Sequence, residues 1–339
     1  MPNQVKSKHD DTITVKSLGP LSHLLAGGIG STVAQFVTSP LDVVQTRLMS
    51  TKLNFSTYSQ GNNLSLAAPL VSGGGNPVGF QIQSKPKFGI GYFQVLFSYM
   101  KYMVNTEGIK SLYKGLTPGL VGIVPAKSAY FFCYASAKSK LNQTSTFQSH
   151  QHVVHSLSAM MAGLFTGTVT NPVWYIKTKL QLNEKSGSTV TDIIRKGYKK
   201  HGFKCFFRGI SASYVGVFET VIYFLLYEEL KRIIQVKNEG NNKNKFQALH
   251  LTYAAMLSKI TATTIMYPHE VIRTRLRQDV LNQTGSLKYK NFFQSLMLVG
   301  KEEGRIGLYG GFGTSLLRQL PNTAVTFLTY EAIIYYLDQ

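Results

Sequence analysis

Charged residues are nearly absent from six stretches of the chain, each about 20 residues long. Two of them, 18–41 and 153–175, contain no Asp, Glu, Lys or Arg, and four others, 115–134, 209–227, 246–269 and 310–330, contain one each. A helix of about 20 residues spans the hydrocarbon core of a membrane. The stretches are rich in Gly, Ala, Ser and Thr, which line close helix contacts or a wet interior. The pattern favours six membrane-spanning helices of a transporter or channel over six buried helices of a soluble bundle.

The overall composition agrees with this interpretation once the small number of acidic residues is considered. The chain has 36 Lys and Arg against 16 Asp and Glu, a formal charge of +20, yet only 15% of its residues are charged. Nucleic-acid-binding proteins are usually basic because they are rich in charge, whereas this chain is basic because acids are scarce. We therefore expect no nucleic acid as a partner. Cys133 and Cys205 show no metal-binding spacing, and we expect no metal and no cofactor.

Three segments align without gaps, each at the end of an odd-numbered stretch: 39–48, 171–180 and 267–276. Each carries a proline at its second position, namely Pro40, Pro172 and Pro268. Proline near the end of a helix bends it, so the three prolines predict a symmetric kinked bundle. The positions two and five residues after each proline lie on one helix face, and they hold an acid in two repeats (Trp174 in the second) and a base in two (Gln45 in the first). Three such faces around an axis predict a ring of pairs between neighbouring helices.

Two further motifs recur in each repeat. Segments 107–115, 201–209 and 303–311 open the even-numbered stretches, and a Tyr-x-x-x-Lys/Ile pattern beginning at Tyr134, Tyr227 and Tyr330 closes them. The sequence therefore predicts an all-α membrane protein of three tandem repeats, 18–141, 151–234 and 246–339, after a polar tail, 1–17. Each repeat has two transmembrane helices and a short amphipathic surface helix, which together predict a pseudo-threefold six-helix bundle. A Ser/Gly/Asn-rich insertion at about 54–89 in the first repeat is predicted to be a flexible loop.

The threefold Pro-x-Asp/Glu-x-x-Lys/Arg and Glu-Gly…Tyr/Phe-Lys/Arg-Gly pattern resembles the mitochondrial carrier family from about residue 21 to 337. The resemblance implies six helices around a central cavity in the mitochondrial inner membrane, with the short helices on the matrix side. It also implies both termini toward the intermembrane space, and alternating access between two gates. Segments 212–220, 258–277 and 318–325 look most like the pyrimidine nucleotide carriers. Trp174, in place of an acid, is shared with carriers of folate, flavin and nicotinamide nucleotides.

The resemblance assigns residues to a gate on the matrix side. It implies three pairs: an ionic pair Asp42–Lys177 that Gln181 could brace, a hydrogen bond Glu270–Gln45, and a cation–π contact Trp174–Arg273. A cation–π contact contributes about 0.5–2 kcal/mol depending on burial. Only one of the three pairs is ionic, so this gate is expected to be weak.

The resemblance also places a cytoplasmic gate and lipid contacts. The gate residues are Tyr134, Lys138, Tyr227, Glu228, Lys231, Tyr330 and Glu331, with two possible ionic pairs, Lys138–Glu228 and Lys231–Glu331. Weak gates suit a carrier, because pairs that are too stable would trap one state. Lipid contacts, including cardiolipin, are expected at Gly115, Gly209 and Gly311.

Isolated charges inside the stretches point to a substrate site, because a charge at mid-membrane usually faces a cavity and usually functions. With family analogy, the candidates are Lys127, Val215, Gly216, Glu219, Lys259, Arg318, Gln319 and Asn322. Arg318 can grip phosphate oxygens in a bidentate manner and Lys127 supplies a point charge. Gly216 would let a flat base lie near the backbone. Lys259 has two open interpretations, a phosphate contact or a salt bridge with Glu219.

These residues predict a mitochondrial inner-membrane carrier, expected to be a monomer, that exchanges pyrimidine (deoxy)nucleotides. A carrier of another nucleotide-like anion, such as NAD, FAD, folate or an adenine nucleotide, is the alternative within transport. A basic nucleic-acid-binding protein and a membrane-embedded enzyme are less favoured classes. No paired catalytic groups occur in the sequence, so we do not expect an enzyme.

Overall fold

The computed structural model describes residues 20–50, 90–143, 151–183, 189–238, 244–278, 280–281 and 286–338. The predicted polar tail, 1–17, and the predicted insertion, 54–89, lie outside these ranges. Six long helices are α1 (Pro20–Leu48), α3 (Leu116–Asn142), α4 (Gln151–Leu182), α6 (Ile210–Asn238), α7 (Asn244–Leu276) and α10 (Phe312–Asp338). Shorter ones are α2 (Ile90–Glu107), α5 (Val190–His201), α8 (Phe292–Glu302) and α9 (Gly304–Leu308). The all-α prediction of six long helices with short connecting helices is confirmed.

The repeated prolines lie inside continuous helices. Pro40, Pro172 and Pro268 are interior residues of α1, α4 and α7, each of which continues for eight to ten residues beyond its proline. α1 has 29 residues, or about 43 Å at 1.5 Å per residue, which exceeds a hydrocarbon core of about 30 Å. Each charge-poor stretch therefore ends before its helix does, and the last turns of the long helices carry the charges.

Hydropathy alone identifies half of the long helices as membrane spans. Within the described residues, the segments long and apolar enough by composition are Ile109–Asn142, Val153–Leu182 and Phe203–Ile234. The other three long helices, α1, α7 and α10, do not qualify by this measure. Small and hydroxyl-bearing residues lower the hydropathy of a helix, but they permit close contact with a neighbouring helix.

The long helices form a ring in chain order. The most extensive contacts join α3 to α4, α6 to α7, and α10 back to α1, so each repeat packs chiefly against its neighbours. We call the end where α1, α4 and α7 terminate the proline end. The opposite end, where α3, α6 and α10 terminate near Tyr134, Tyr227 and Tyr330, is the tyrosine end.

A glycine precedes each of the long helices α3, α6 and α10 and lets that helix lie close to the next repeat. Gly115 has a left-handed backbone with φ of 82°, and an added Cβ would lie 3.0 Å from the carbonyl oxygen of Lys177. Equivalent close approaches occur between Gly209 and the Arg273 carbonyl, and between Gly311 and the Gln45 carbonyl. These three carbonyls belong to the three predicted base positions of the matrix gate. The three glycines therefore determine how closely the start of α3, α6 or α10 packs against the neighbouring repeat.

Ion pairs tie the short helices to the proline end in two of the three repeats. Arg47 pairs with Glu107 through two hydrogen bonds, of 2.5 and 2.9 Å, and Arg275 pairs with Glu303 in the same bidentate manner. Burial raises the pKa of the Glu107 carboxyl, but hydrogen bonds from Arg47 and Lys114 outweigh burial and hold that pKa below its ordinary value of 4.5. The contribution of this pair to stability is thus present above about pH 4.5 and is lost as the pH falls further.

We expect Glu303→Gln to lower the free energy of unfolding by about 3 kcal/mol, because it leaves the buried Arg275 guanidinium without a counter-charge. The matched control is Glu302→Gln at the preceding position, whose partner Lys288 lies in a more exposed pair. That change should cost less than about 1 kcal/mol. Thermal melting of both variants in the same detergent checks the difference, and equal losses would contradict this account.

Candidate functional site

A buried carboxylate joins α1 to α4 at the proline end. Lys177 Nζ lies 2.8 Å from Asp42 Oδ2, and Gln181 Nε2 donates to the same oxygen at 2.8 Å. The Gln181 side chain also accepts a hydrogen bond from the Thr46 hydroxyl at 2.9 Å. Arg47 adds a bond from its Nε to the Gln181 carbonyl. The predicted ionic pair and its glutamine contact are therefore both present in the geometry.

The contact between α1 and α7 is neutral, but a third helix brings a cation to it. Gln45 Nε2 donates to Glu270 Oε2 at 3.4 Å, which is a long hydrogen bond. Arg318 of α10 donates from Nε to Gln45 Oε1 at 2.8 Å and lies 3.8 Å from Asp42 Oδ1. The residue predicted to grip phosphate thus occupies the space beside Gln45, where the usual base of the motif is missing.

The contact predicted between Trp174 and Arg273 is wrong in this conformation. Among the described residues, the cation over the Trp174 ring is Lys177, at 5.2 Å from the ring centroid. Arg273 instead lies 3.9 Å from Glu270, one turn back on its own helix. The physical reason is competition: Lys177 lies one turn beyond Trp174 on the same helix and reaches the ring locally, while Glu270 offers Arg273 a full negative charge.

Arg277 joins α4 to α7 instead, and sequence reasoning missed it. Its guanidinium donates to the Asn171 side-chain oxygen at 3.1 Å, to the Thr178 hydroxyl at 3.2 Å and to the Trp174 carbonyl at 3.4 Å. The residue is 6% exposed, and no ion pair to a carboxylate is found for it within the described part of the chain. A signal was available, because Arg277 stands nine residues after Pro268, as Gln181 stands nine after Pro172.

We expect Arg277→Ala to lower the free energy of unfolding by about 3 kcal/mol, because two buried acceptors, the Asn171 side-chain oxygen and the Thr178 hydroxyl, lose a donor. Arg273→Ala is the comparison, since Arg273 is one turn away, partly exposed and bonded only across a long distance. It should cost about 1 kcal/mol or less. Melting curves in detergent measure both. A larger loss for Arg273→Ala would restore the Trp174–Arg273 contact as the link between these helices.

Above the gate, α6 and α7 are joined at the predicted substrate level. Lys259 Nζ lies 2.7 Å from Glu219 Oε1, and the Thr263 hydroxyl donates to the same oxygen at 2.9 Å. Of the two interpretations of Lys259, the salt bridge is thus the one present. His269 fills the space beside Gly216, where an added Cβ would lie 2.5 Å from Nε2 of the imidazole. Gly216 therefore receives a side chain of α7, where a substrate base was expected.

The remaining substrate candidates lie at different depths. Lys127 bonds to the Ser31 hydroxyl at 2.7 Å and to the Gly27 carbonyl at 3.1 Å. Ser31 precedes Asp42 by eleven residues, or about 16 Å along a helix, so Lys127 and Arg318 serve separate levels of the cavity. Val215 packs against an apolar cluster that includes Ile272 and Leu276.

Two polar candidates, Gln319 and Asn322, follow Arg318 on α10. Gln319 is partly exposed, and Asn322 Oδ1 lies 3.5 Å from the hydroxyl of Thr38 on α1. This contact is at the limit of a hydrogen bond, so the Asn322 amide keeps donor capacity for another partner.

The tyrosine end does not show the two predicted ionic pairs. Among the ion pairs of the described residues, none joins Lys138 to Glu228 or Lys231 to Glu331. The hydroxyl of Tyr134 lies 2.6 Å from His155 Nδ1 of α4, and the two rings stack.

One cluster has the geometry of a divalent cation site. Glu219, His269 and Glu270 each place a ligand atom within 4.8 Å of the others. The His269 Nδ1 bonds to a backbone carbonyl, which leaves Nε2 toward the carboxylates. Both carboxylates already have partners, Lys259 on Glu219 and Gln45 on Glu270. The nearby lysine charge opposes a bound cation, so we assign no metal here.

The geometry described so far is that of a threefold ring with a polar interior, closed at one end. The family model of the mitochondrial carrier protein matches residues 16–75, 76–145, 148–238 and 244–339. The chain belongs to the mitochondrial carrier family. Like other carriers of this family it is a multi-pass protein of the mitochondrial inner membrane, and the family consists of transporters.

Three carriers illustrate the similarity. Solute carrier family 25 member 33 of Homo sapiens is 40% identical over 329 residues, which cover 94% of this chain and 95% of the human protein. Solute carrier family 25 member 36-A of Danio rerio is 40% identical over 330 residues, 94% of this chain and 98% of the relative. The mitochondrial pyrimidine nucleotide transporter RIM2 of Saccharomyces cerevisiae is 33% identical over 349 residues, 98% of this chain and 89% of the yeast protein.

Proposed function

We propose that this carrier exchanges pyrimidine nucleotides across the mitochondrial inner membrane. The observation that carries the proposal is the position of Arg318, whose guanidinium lies between Gln45 and Asp42 at the closed end of the cavity. Arginine binds phosphate through two parallel hydrogen bonds. The name of the yeast relative supports the choice of pyrimidines among the nucleotides.

The same residue connects substrate binding to the gate. A phosphate that binds Arg318 competes with Asp42 for the guanidinium, because both are oxyanions. Loss of the Arg318 contact leaves Asp42 with Lys177 and Gln181 alone. A ligand shifts a conformational equilibrium only by its difference in affinity for the two states. In this mechanism, a nucleotide favours opening of the proline end, which we assign to the matrix side.

The second gate completes the cycle. In the proposed alternate state, Lys138–Glu228 and Lys231–Glu331 pair at the tyrosine end, which we assign to the intermembrane space. Residues of α6 and α7 then contact the base and ribose between the gates. Glu219 is the candidate acceptor for a base or ribose donor, since a carboxylate oxygen has capacity beyond its bond to Lys259. Cardiolipin contacts at the repeat boundaries and a monomeric state are part of the same proposal.

Substrate choice can be tested in liposomes that hold the purified carrier. Vesicles loaded with UTP, CTP or TTP should take up the same labelled nucleotides, and vesicles loaded with ATP, NAD or folate should exchange more slowly. Rapid exchange of NAD or folate with no exchange of the three pyrimidines would replace this proposal with the dinucleotide or folate alternative. That alternative has one observation in its favour, Trp174 in the place of an acid.

We expect Arg318→Ala to reduce exchange by about 10- to 100-fold, since a charged hydrogen bond contributes about 1.5–3 kcal/mol. Arg318→Lys keeps the charge without the bidentate geometry and should retain intermediate activity. Initial uptake rates in reconstituted vesicles measure the effect. Arg305→Ala on the exposed face of α9 is the charge-matched control. Full activity of Arg318→Ala would remove Arg318 from the site.

A further inference from the structure

A second cavity lies at the proline end, outside the central site. It has a volume of about 330 Å³ and is enclosed by the last turns of α4, one face of α5 and the segment after α7. Lys179 contributes from α4, only two residues beyond the gate residue Lys177. Lys196 and Lys200 contribute from α5. The cavity therefore opens on the far side of the closed gate from the central site.

The described residues that line this cavity carry positive charge. Within that part of the chain three lysines line it, and no Asp or Glu does. Its neutral polar groups are the hydroxyl of Tyr175 and the side-chain amides of Asn183 and Gln278. Ammonium groups, a hydroxyl and amide N–H groups are all hydrogen-bond donors. Such a set in a concave surface matches an oxyanion and opposes a cation.

Comparison of the repeats explains why the positive cavity occurs in the second one. In the first and third repeats the residue before the glycine that follows the short helix is a glutamate, Glu107 or Glu303, whose carboxylate pairs with an arginine of the preceding long helix. The corresponding residue at the end of α5 is His201. Replacement of the carboxylate removes the negative charge that the other two repeats place at this position.

The shape of α5 also favours a ligand. Lys196 and Lys200 are one turn apart and so project from the same face of the helix. Gly197 lies between them on the cavity wall, where an added Cβ would lie 3.7 Å from the Tyr175 hydroxyl oxygen and 3.3 Å from the Cys205 sulfur. The glycine lets α5 lie close to α4, and the exposed Lys196 and Lys200 of α5 line the same cavity as Lys179 of α4.

We propose that this cavity binds a phosphate group, in which Lys179, Lys196 and Lys200 contact the phosphate oxygens. The group belongs either to a free phosphate-bearing anion at this face or to a phospholipid headgroup, because both present the same oxyanion. The site is separate from the central cavity, and its binding does not depend on which nucleotide the carrier exchanges.

Protection of lysine side chains from acylation tests the proposal on the intact wild-type carrier. The purified protein is treated with a limiting amine-acylating reagent, with or without pyrophosphate, at constant ionic strength set by chloride. Modification is read by mass spectrometry. Lys196 and Lys200 should be protected at least threefold, and Lys199, which is exposed but does not line the cavity, should not. Equal protection of Lys199 means general screening of charge and would overturn the proposal.

A second arm identifies the source of the phosphate. The same labelling is done in phosphatidylcholine vesicles with and without phosphatidylglycerol. Protection by pyrophosphate in lipid-free detergent supports a free anion, and protection only with the anionic lipid supports a headgroup. Absence of protection in both arms would overturn the proposal.

Paired variants provide an independent readout. Lys196→Gln with Lys200→Gln should abolish the rise in melting temperature that pyrophosphate causes in wild type. Arg195→Gln with Lys199→Gln removes the same charge from exposed positions of the same helix at the same spacing, and it should leave that rise unchanged. An equal loss in both pairs would contradict a site at the cavity.

Discussion

Three helices meet at the proline end on one largely buried carboxylate, that of Asp42. Three side chains from two other helices converge on it, Lys177 and Gln181 from α4 and Arg318 from α10. Removal of one partner from a buried ion pair is strongly destabilising, so these helices are held together by a shared charge. Of the three side chains, only Arg318 lies on a helix that terminates at the tyrosine end, and in the proposed mechanism it connects substrate binding to the gate.

The three repeats share one backbone plan but join one another by different chemistry. α1 meets α4 through an ion pair, α1 meets α7 through a long hydrogen bond, and α4 meets α7 through the guanidinium of Arg277 and three neutral acceptors. The feature that all three repeats share is the backbone contact at the glycines before α3, α6 and α10. The backbone is symmetric, but the side-chain contacts between its long helices differ in strength. In the proposed mechanism, an asymmetric substrate therefore affects these contacts to different extents.

The sequence predicted the fold, because the repeat makes each position visible three times, and the same repeat suggested contacts between the helices. Asp42 and Lys177 could be paired in this way. Arg277 could not, since it replaces a glutamine of the second repeat and bonds to acceptors with no charge. The space beside Gly216 was assigned to a substrate base, yet His269 occupies it. Packing between distant segments decides such cases, and the spacing of residues along the chain does not contain that information.

The contact between Gly216 and His269 has an evolutionary consequence. An added Cβ at position 216 would lie 2.5 Å from Nε2 of His269, so a larger residue there requires the imidazole to move. A smaller residue at position 269 would leave a void beside Gly216. We therefore expect a larger residue at position 216 to be accompanied by a smaller one at position 269.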